Sequence, residues 1–555
     1  MTPRDDQDMQ DMNGEQGQDQ GEGQASRDRC PTTVRASDPS AVEPSEEVSV
    51  ERMPGSRRAR ITPDGRFVSG RLKGLTMGGA ILALAWPVMI ESFLNSFVGL
   101  TDTALAAGIG EGATDAIGGG SYIMWFIGLV IMALGVGATA LVSRSVGSGR
   151  TAVANAALGQ TVLLAGLLGV VVGIVVAMLV APVATLLNMG PVATQAFRDY
   201  MLVICAGVPF ASILFALIAC ARGAGDSIRP LWAMVVRNIV NVIVSVGLSG
   251  IDWTRATEID GELVRTVIWE NPSPFAMGVT GIALGTVAGD IVGALIVLVM
   301  ARSGIWGIRL RMARLKPHWH TMRRLVRLGL PNFFETLGMW LGNFAIVLMV
   351  GSIGASGLLG AHIVAIRIEA FSFLPGFAMG TAAATLAGQY LGAGSPALAK
   401  RAVLICAGVA AVVMGTIGLG FIFAGVWITS LLSTQPTHLA EVPRLLLICG
   451  LVQVPFAFGI VFRSAMRGAG DVKAVMAMTW VCTYVIRLPM VYVFSGVDIA
   501  LPGWFTGGEA VIVPNPSPFE PSLAGLWLGM CLELIVRGTL FATRFARGKW
   551  LEKAV

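Results

Sequence analysis

The sequence predicts an all-α integral membrane protein with twelve transmembrane helices in two pseudo-symmetric six-helix bundles around a central cleft. Three observations predict this fold: an apolar composition, twelve apolar runs of membrane-spanning length, and an internal repeat. Of the 555 residues, 54% are hydrophobic and only 14% are charged, and the mean hydropathy is +0.70. Soluble domains carry roughly 25% charged residues, so the composition disfavours a soluble enzyme.

The charged residues that do occur are concentrated at the start of the chain. Of the 75 Lys, Arg, Asp and Glu residues, 25 lie between Arg4 and Lys73. This segment is rich in Gln, Asp, Glu, Gly and Ser, and such a composition cannot bury enough apolar surface to fold. It also lacks the pattern of a cleavable signal peptide. We therefore predict that residues 1–74 form a disordered cytoplasmic tail.

Twelve apolar runs follow that are long enough to cross a hydrocarbon core, which takes about 20 helical residues. We number them spans 1 to 12, and they cover residues 77–106, 117–142, 153–180, 199–219, 231–249, 277–300, 328–351, 357–386, 402–431, 444–462, 474–495 and 523–541.

The polar links between the spans carry their bases unevenly. The links after spans 2, 4, 6, 8 and 10 contain sixteen Lys and Arg residues, whereas the links on the opposite side contain four. Because basic loops stay in the cytoplasm, we expect both termini to be cytoplasmic in a multi-pass protein of the inner (plasma) membrane. The predicted parts after the tail are a bundle at 75–301, a basic connector at 302–327, a second bundle at 328–547 and a cytoplasmic tail at 548–555.

An internal repeat relates the two predicted bundles. Pro87 aligns with Pro331 at an offset of 244, and nearly the same offset aligns two copies each of VPF, RGAGD and NPSPF. Six spans per half give both halves the same orientation, as in transporters built from parallel repeats. This arrangement favours a secondary transporter, with a channel or a structural membrane protein as alternatives. No GxxxxGK[ST] loop is present to bind ATP.

Polar residues form a stripe on span 1. Glu91, Asn95 and Asp102 lie at helical offsets of 0, 4 and 11 residues, on one face of an apolar helix. In span 7, Glu335 follows Pro331 by four residues, as Glu91 follows Pro87. We therefore expect the two glutamates to face each other across the cleft. Asp102 aligns with the apolar Ile346, so the predicted site is asymmetric in charge.

Acidic residues within membrane spans are functional candidates by default. We predict that Glu335, Asp102 and Glu91 couple transport to a cation, either by exchanging a proton or by binding Na⁺ at Asp102 or Glu335; packing between helices is the alternative. Asp290 and Glu533 align between the halves and could line the cavity or pair with Arg487. Arg237 and Arg463 lie near predicted helix ends, where their side chains could reach the interface. The predicted cleft and substrate residues are Asn95, Asn343, Met339, Asn241, Glu369 and Asp290.

Several segments together resemble the multidrug and toxic compound extrusion (MATE) family. They are Pro87 to Asp102 with its VGLTDT ending, GLPNFFE in span 7, RIEAFSFLPGFAMGTAAATLAGQYLGAG from Arg367, and both RGAGD segments. The resemblance runs from about Leu75 to Arg547. It implies export of organic, often cationic, compounds in exchange for Na⁺ or H⁺. It also implies cation coupling at Asp102 and, as in the NorM-type branch, at Glu335.

The resemblance leaves the coupling ion and the substrate open. Phe456 stands where the NorM-type branch has a span 10 aspartate, and Ser245 stands where the DinF-type branch has a span 5 aspartate. Related folds also flip lipid-linked precursors, which is the alternative function. The two loops that contain NPSPF are longer than a minimal link and receive no role from the sequence.

The sequence gives little support to an enzyme. The four histidines show no metal-binding spacing, no GxSxG motif occurs, and the seven cysteines contain no CxxC pair. We expect no cofactor and no nucleic-acid partner. The expected partners are small organic substrates and membrane lipids, and the protein is expected to act as a monomer.

Overall fold

A computed structural model describes residues 61–186, 189–259, 262–354, 357–433, 435–501 and 511–553. The first half of the chain contains six long helices with a β-hairpin between the last two. Their bounds are α1 Met77–Ile109, α2 Glu111–Gly147, α3 Thr151–Leu186, α4 Pro191–Gly223, α5 Ile228–Ser249, β1 Trp253–Ile259, β2 Glu262–Trp269 and α6 Val279–Ser303.

The second half repeats this order after a connector that contains a 3₁₀ turn at Met312–Arg314. Span 11 includes a π-helical section, Val481–Arg487. The elements are α7 Trp319–Ser352, α8 Leu358–Gly392, α9 Pro396–Ser430, α10 Pro436–Leu451, α11 Gln453–Gly468, α12 Val472–Trp480, α13 Leu488–Ser495, β3 Ile499–Leu501, β4 Val511–Val513 and α14 Leu523–Ala546.

The helices account for the twelve predicted spans. Eleven described helical segments are long and apolar enough to cross a membrane, and the pair α10 and α11 gives a twelfth if counted as one span. That pair is bent by 58°, so span 10 is broken where the sequence predicted one continuous helix. The break lies at Val452, whose φ of −106° and ψ of 6° depart from helical values. The protein is therefore a multi-pass membrane protein of predominantly helical fold.

Two antiparallel β-hairpins depart from the all-α prediction and occupy the loops that contain NPSPF. The motif's asparagines close both hairpins at their bases. The Asn271 amide donates to the Val246 carbonyl at 2.7 Å, and its backbone N–H donates to Asp252 at 2.7 Å. Asn515 repeats these bonds with Tyr492 and Asp498. Because the last carbonyls of a helix lack partners within it, the motif caps the helix that precedes each hairpin.

The side of the molecule away from the hairpins carries the basic links, and we call it the basic side. There the two halves share their cores. Ala80, Leu84 and Val88 of α1 are buried in a cluster formed mainly by residues of α8, α9, α11, α12 and α14 and by residues just before α1. In return, Leu325 and Leu328 of α7 are buried among residues of α2 to α6. The first turns of α1 and α7 are thus exchanged between the halves.

On the side of the hairpins, which we call the hairpin side, the cores are separate. One described cluster there draws only on residues 105 to 283, and the other only on residues 346 to 534. Between the two levels, ring contacts still join the halves: Trp125 and Trp340 lie 6.2 Å apart, and Phe93 and Phe371 lie 6.5 Å apart. The halves are therefore joined on the basic side and separate on the hairpin side.

The ends of the membrane-embedded part are more ordered than the sequence predicted. Residues 61–74, which the sequence assigned to the disordered tail, form a segment that we call the strap. Its Phe67 ring stacks on the Tyr390 ring with 4.5 Å between the centroids, and the Arg71 Nε atom lies 3.2 Å from a carboxylate oxygen of Asp226. After α14, Trp550 is fully buried and stacks on Phe545 at 5.1 Å. Aromatic burial and ion pairing hold both segments. The remainder of the predicted N-terminal tail, residues 1–60, lies outside the described residues.

Candidate functional site

The two RGAGD segments form the turns after α4 and α11. In each segment the second glycine has a positive φ, 94° at Gly225 and 92° at Gly470. Residues that carry a side chain rarely adopt this conformation. The following aspartate N–H bonds back to the helix, from Asp226 to Ala221 at 3.0 Å. This is a common way to end a helix. The turn places the motif's arginine, Arg222 or Arg467, in the last turn of its helix.

Each of these arginines holds a glutamate from the first helix of its own half. Arg222 donates to the buried Glu91. Arg467 lies 2.7 Å from the fully buried Glu335, which also accepts a 2.8 Å bond from Thr479. The glutamates are symmetry mates, as predicted. Ion pairs inside the halves take the place of the predicted contact across the cleft.

Asp102 in α1 has a different environment. Its Oδ1 atom is buried without a hydrogen-bond partner among the described residues. Arg237 and Tyr200 are its electrostatic neighbours. Asn241 on α5 carries another of the unpartnered buried oxygens: its amide donates to Thr286 at 3.0 Å, while its Oδ1 atom has no donor among the described residues. Several other buried oxygens also lack partners among the described residues, but Asp102 is the acid among them, and an acid can hold a proton or a cation.

The aligned acids Asp290 and Glu533 are both ion-paired. Asp290 accepts from Arg237 at 2.8 Å. Glu533 accepts from Arg487 at 3.1 Å and from Arg537 at 2.6 Å. The expected pairing with Arg487 is thus present for Glu533. The expectation that Arg237 reaches the interface was wrong, because its guanidinium finds Asp290 within the helix bundle.

A cavity of about 480 Å³ lies mainly within the second half. Its charged lining residues are Glu369, Arg463, Arg487 and Arg537. Its walls include the aromatic side chains of Trp125, Phe373, Phe377, Phe456 and Trp527. The predicted cleft residues Met339 and Asn343 also line it. The Met339 sulfur accepts a 3.2 Å bond from Arg463, and Asn343 accepts a 2.7 Å bond from Arg487.

The π-helical section of span 11 positions part of this lining. π-Helical sections are rare in proteins, and those that occur often lie at functional sites. Here it carries Thr483 and ends at Arg487. Arg537 of α14 donates to Thr483 at 3.2 Å, and Arg487 bridges Glu533 and Asn343. The widened turn therefore joins α7, span 11 and α14 through one polar network.

The structure distributes the predicted site residues over two regions. Glu369, Met339 and Asn343 line the cavity, whereas Asp102, Asn241 and Asp290 belong to the first half. Asn95 is partly exposed on α1 and makes no hydrogen bond among the described contacts.

The expectation that Arg463 reaches the interface was also wrong, because Arg463 lines the cavity, and the sequence analysis gave no role to Arg537, which lines it too. One signal was available for Arg537, since Glu533 and Arg537 are four residues apart, on one helical face.

Comparison with known proteins decides the family. A family profile described as MatE matches residues 87–246 and 331–493, more than half of the chain. The chain belongs to the MatE family. Both matched ranges begin at the aligned prolines, so the family's repeat coincides with the internal repeat. Family membership makes this MatE protein a transporter with the two-lobed helical fold.

Relatives and solved structures agree with that assignment. This MatE chain is 25% identical over 480 residues to a probable multidrug resistance protein NorM of Thermotoga maritima, covering 86% of this chain and 93% of the relative. It is 24% identical over 490 residues to the multidrug resistance protein MdtK of Yersinia pseudotuberculosis, covering 85% and 95%. An outward-facing MATE family transporter superposes with a TM-score of 0.74 at 19% identity, covering 86% of this chain and 97% of that one.

Proposed function

We propose that this MatE protein is a secondary antiporter that exports amphiphilic organic compounds in exchange for H⁺ or Na⁺ by alternating access. The observation that carries the proposal is the joining of two equally oriented halves on one side only. Such halves can rock about a fixed site and expose it to either side in turn. With the basic links in the cytoplasm, the separate cores on the hairpin side correspond to an outward-open arrangement.

Asp102 is the best-supported coupling residue. Of the three predicted acids, Glu91 and Glu335 already have arginine partners, whereas Asp102 has a buried oxygen that no described residue contacts by a hydrogen bond. A carboxylate without a fixed partner can take up a proton, or it can bind Na⁺ together with an amide oxygen such as that of Asn241. The ion would then occupy the first half and the organic compound the cavity of the second half.

The proposal predicts that Asp102→Asn uncouples transport. In proteoliposomes with proton and sodium gradients imposed separately, the native protein should accelerate efflux of a fluorescent amphiphile with one gradient. Asn is nearly isosteric but cannot carry the charge. We therefore expect the gradient effect to fall on the order of ten-fold or more, within the usual range of coupling free energies.

Asp199→Asn is the matched control. Asp199 lies in the third turn of α4 and, among the described residues, accepts hydrogen bonds from Gln195, so the same chemical change should leave coupling intact. Full gradient-driven exchange by Asp102→Asn would refute the assignment. A current that follows the electrochemical gradient without counter-movement would instead indicate a channel.

One observation favours the alternative function, movement of a lipid-linked precursor between leaflets. Three arginines line the cavity, and phosphate groups are well matched by guanidinium donors. The resemblance to the MATE family favours cationic compounds, so the two lines of reasoning point to opposite charges.

A further inference from the structure

We propose that the cavity of the second half binds the anionic head of an amphiphile, such as a carboxylate or phosphate on an apolar body. This inference rests on the proposed transport function and names the substrate class of the same site. Among the described lining residues there are three arginines, Arg463, Arg487 and Arg537, and one acid, Glu369.

Two further acids, Glu533 and Glu335, pair with these arginines but do not neutralise their total charge. Glu533 is shared between Arg487 and Arg537, and Glu335 is shared between Arg467 and, at 3.9 Å, Arg463. Each group of one glutamate and two arginines keeps a formal charge of +1. With Glu369 included, the set of four arginines and three glutamates is positive by one charge, which an anionic ligand would balance.

The arginines also have donors to offer. A guanidinium carries five N–H groups. Arg463 donates only to the Met339 sulfur among the described hydrogen bonds, a weak acceptor, and its Nε atom is buried without a partner. Arg487 donates from its Nε atom to Glu533 and from its Nη1 atom to Asn343. An oxyanion between these side chains would receive charge-assisted hydrogen bonds, which are the strong class.

The internal repeat shows that this charge is specific to the second half. Ile218 precedes Arg222 by four residues, as Arg463 precedes Arg467, and Ala294 follows Asp290 by four residues, as Arg537 follows Glu533. Val242 aligns with Arg487, because the two residues follow the aspartates of their RGAGD segments, Asp226 and Asp471, by the same number of positions in the sequence. The first half thus has apolar residues at all three positions, so the arginines are not required to build a six-helix half.

The remaining walls suit the apolar body of such a ligand. Phe373, Phe377 and Phe456 face the cavity together with Trp125 and Trp527. A cavity of about 480 Å³ lies within the usual range of roughly 300–1,000 Å³ for drug-sized ligands. It can hold a head group and a short apolar segment, and a longer tail would extend beyond it.

The test measures binding directly on the full-length protein in lipid nanodiscs. The probe is dansyl-aminoundecanoate, whose fluorescence can be excited by energy transfer from Trp125 and Trp527. Its methyl ester is the uncharged control with the same body, dansylcadaverine is the cationic control, and empty nanodiscs correct for partitioning into lipid. We expect saturable binding of the carboxylate at least about ten-fold tighter than that of either control.

Two kinds of variant test the role of the charges. Arg463→Gln and Arg487→Gln should each weaken carboxylate binding about ten-fold, whereas Arg401→Gln, on an exposed part of α9, should not. Glu369→Gln removes the competing negative charge and should tighten carboxylate binding several-fold. A gain in affinity cannot result from misfolding, so this variant remains informative if an arginine variant is unstable.

The outcomes separate the possibilities. Preferential binding of dansylcadaverine that Glu369→Gln weakens would overturn the proposal, as would carboxylate binding that neither arginine variant changes. Displacement of the probe by decanoate would identify free carboxylates as ligands, and displacement by undecaprenyl phosphate alone would identify a lipid-linked phosphate. Carboxylate binding without gradient-driven transport would support this inference while refuting the antiport proposal.

Discussion

Glu335 and Asp102 show that acids within one membrane domain can have opposite surroundings. Glu335 is fully buried and bonded to Arg467 and Thr479, so its charge is already compensated. Asp102 has a buried oxygen without a hydrogen-bond partner in the part of the chain that the structure describes. The sequence places both acids on polar helix faces but does not reveal their partners. Arg467 lies 132 residues after Glu335, and only the folded chain brings the two together.

At this scale we predict that Glu335→Gln destabilises the protein strongly. The substitution leaves Arg467 without a buried counter-charge, and breaking a buried ion pair costs roughly 3–5 kcal/mol. Thermal unfolding of purified protein in detergent should therefore show a clearly lowered midpoint. Glu441→Gln removes an exposed pair with Arg444 at 3.5 Å, and such pairs contribute at most about 1 kcal/mol. Equal shifts for the two variants would contradict this assignment of Glu335.

Candidate residues could be predicted where the sequence pattern of one helix, or its alignment with the other repeat, was sufficient. The stripe of Glu91 and Asp102 follows from helical periodicity, and the symmetry of Glu91 with Glu335 follows from the repeat. The arginine lining was not predicted, because Arg463 and Arg537 come from different helices and meet only through tertiary packing. Comparison of Arg463 with Ile218 in the other repeat was the available clue.

At the scale of helices, α2 and α8 approach each other closely where they join the halves on the basic side. A Cβ atom on Gly147 would lie 2.0 Å from the Gln389 carbonyl oxygen, and one on Gly392 would lie 2.3 Å from the Arg144 carbonyl oxygen. Small residues at helix crossings let backbones approach in membranes, where packing rather than the hydrophobic effect drives association. This contact therefore favours the arrangement closed on the basic side.

We predict that Gly147→Ala shifts the protein towards an arrangement open on the basic side. The added methyl group collides with backbone, which cannot rotate away as a side chain can. Spin labels at positions 150 and 400, in a background without native cysteines, should show a new population at longer distance. Gly408→Ala is the control, because its Cβ would meet nothing within 4 Å. An unchanged distance distribution for Gly147→Ala would show that the crossing does not restrain the halves.

At the scale of the whole molecule, the strap of residues 61–74 contacts both halves on the basic side. Arg71 pairs with Asp226 of the first half, and Phe67 stacks on Tyr390 of the second. The Tyr390 hydroxyl also donates to the Gly65 carbonyl at 3.1 Å. The acidic and polar composition around these residues led to the prediction that the whole tail is disordered. That prediction did not take account of Phe67 and Arg71, whose side chains hold the end of the tail.

We predict that Phe67→Ala increases hydrogen exchange beyond the strap itself. Loss of the stacked ring should release the strap and expose amides at the adjoining ends of α4 and α8, detectable by mass spectrometry. Val68→Ala, at a neighbouring position that is 43% exposed, should leave exchange nearly unchanged. Faster exchange confined to residues 61–74 would mean that the strap covers the halves without holding them.

The order of synthesis gives the exchange of α1 and α7 a further consequence. The first turns of α1 emerge from the ribosome before the other described spans, yet their packing partners are mainly in α8, α9, α11 and α14, which follow in the second half of the chain. Until those helices are inserted, Leu84 and Val88 lack most of the side chains of the cluster in which they are finally buried. The first helix to enter the membrane is therefore among the last to reach its final contacts, and a half made alone would lack part of its core.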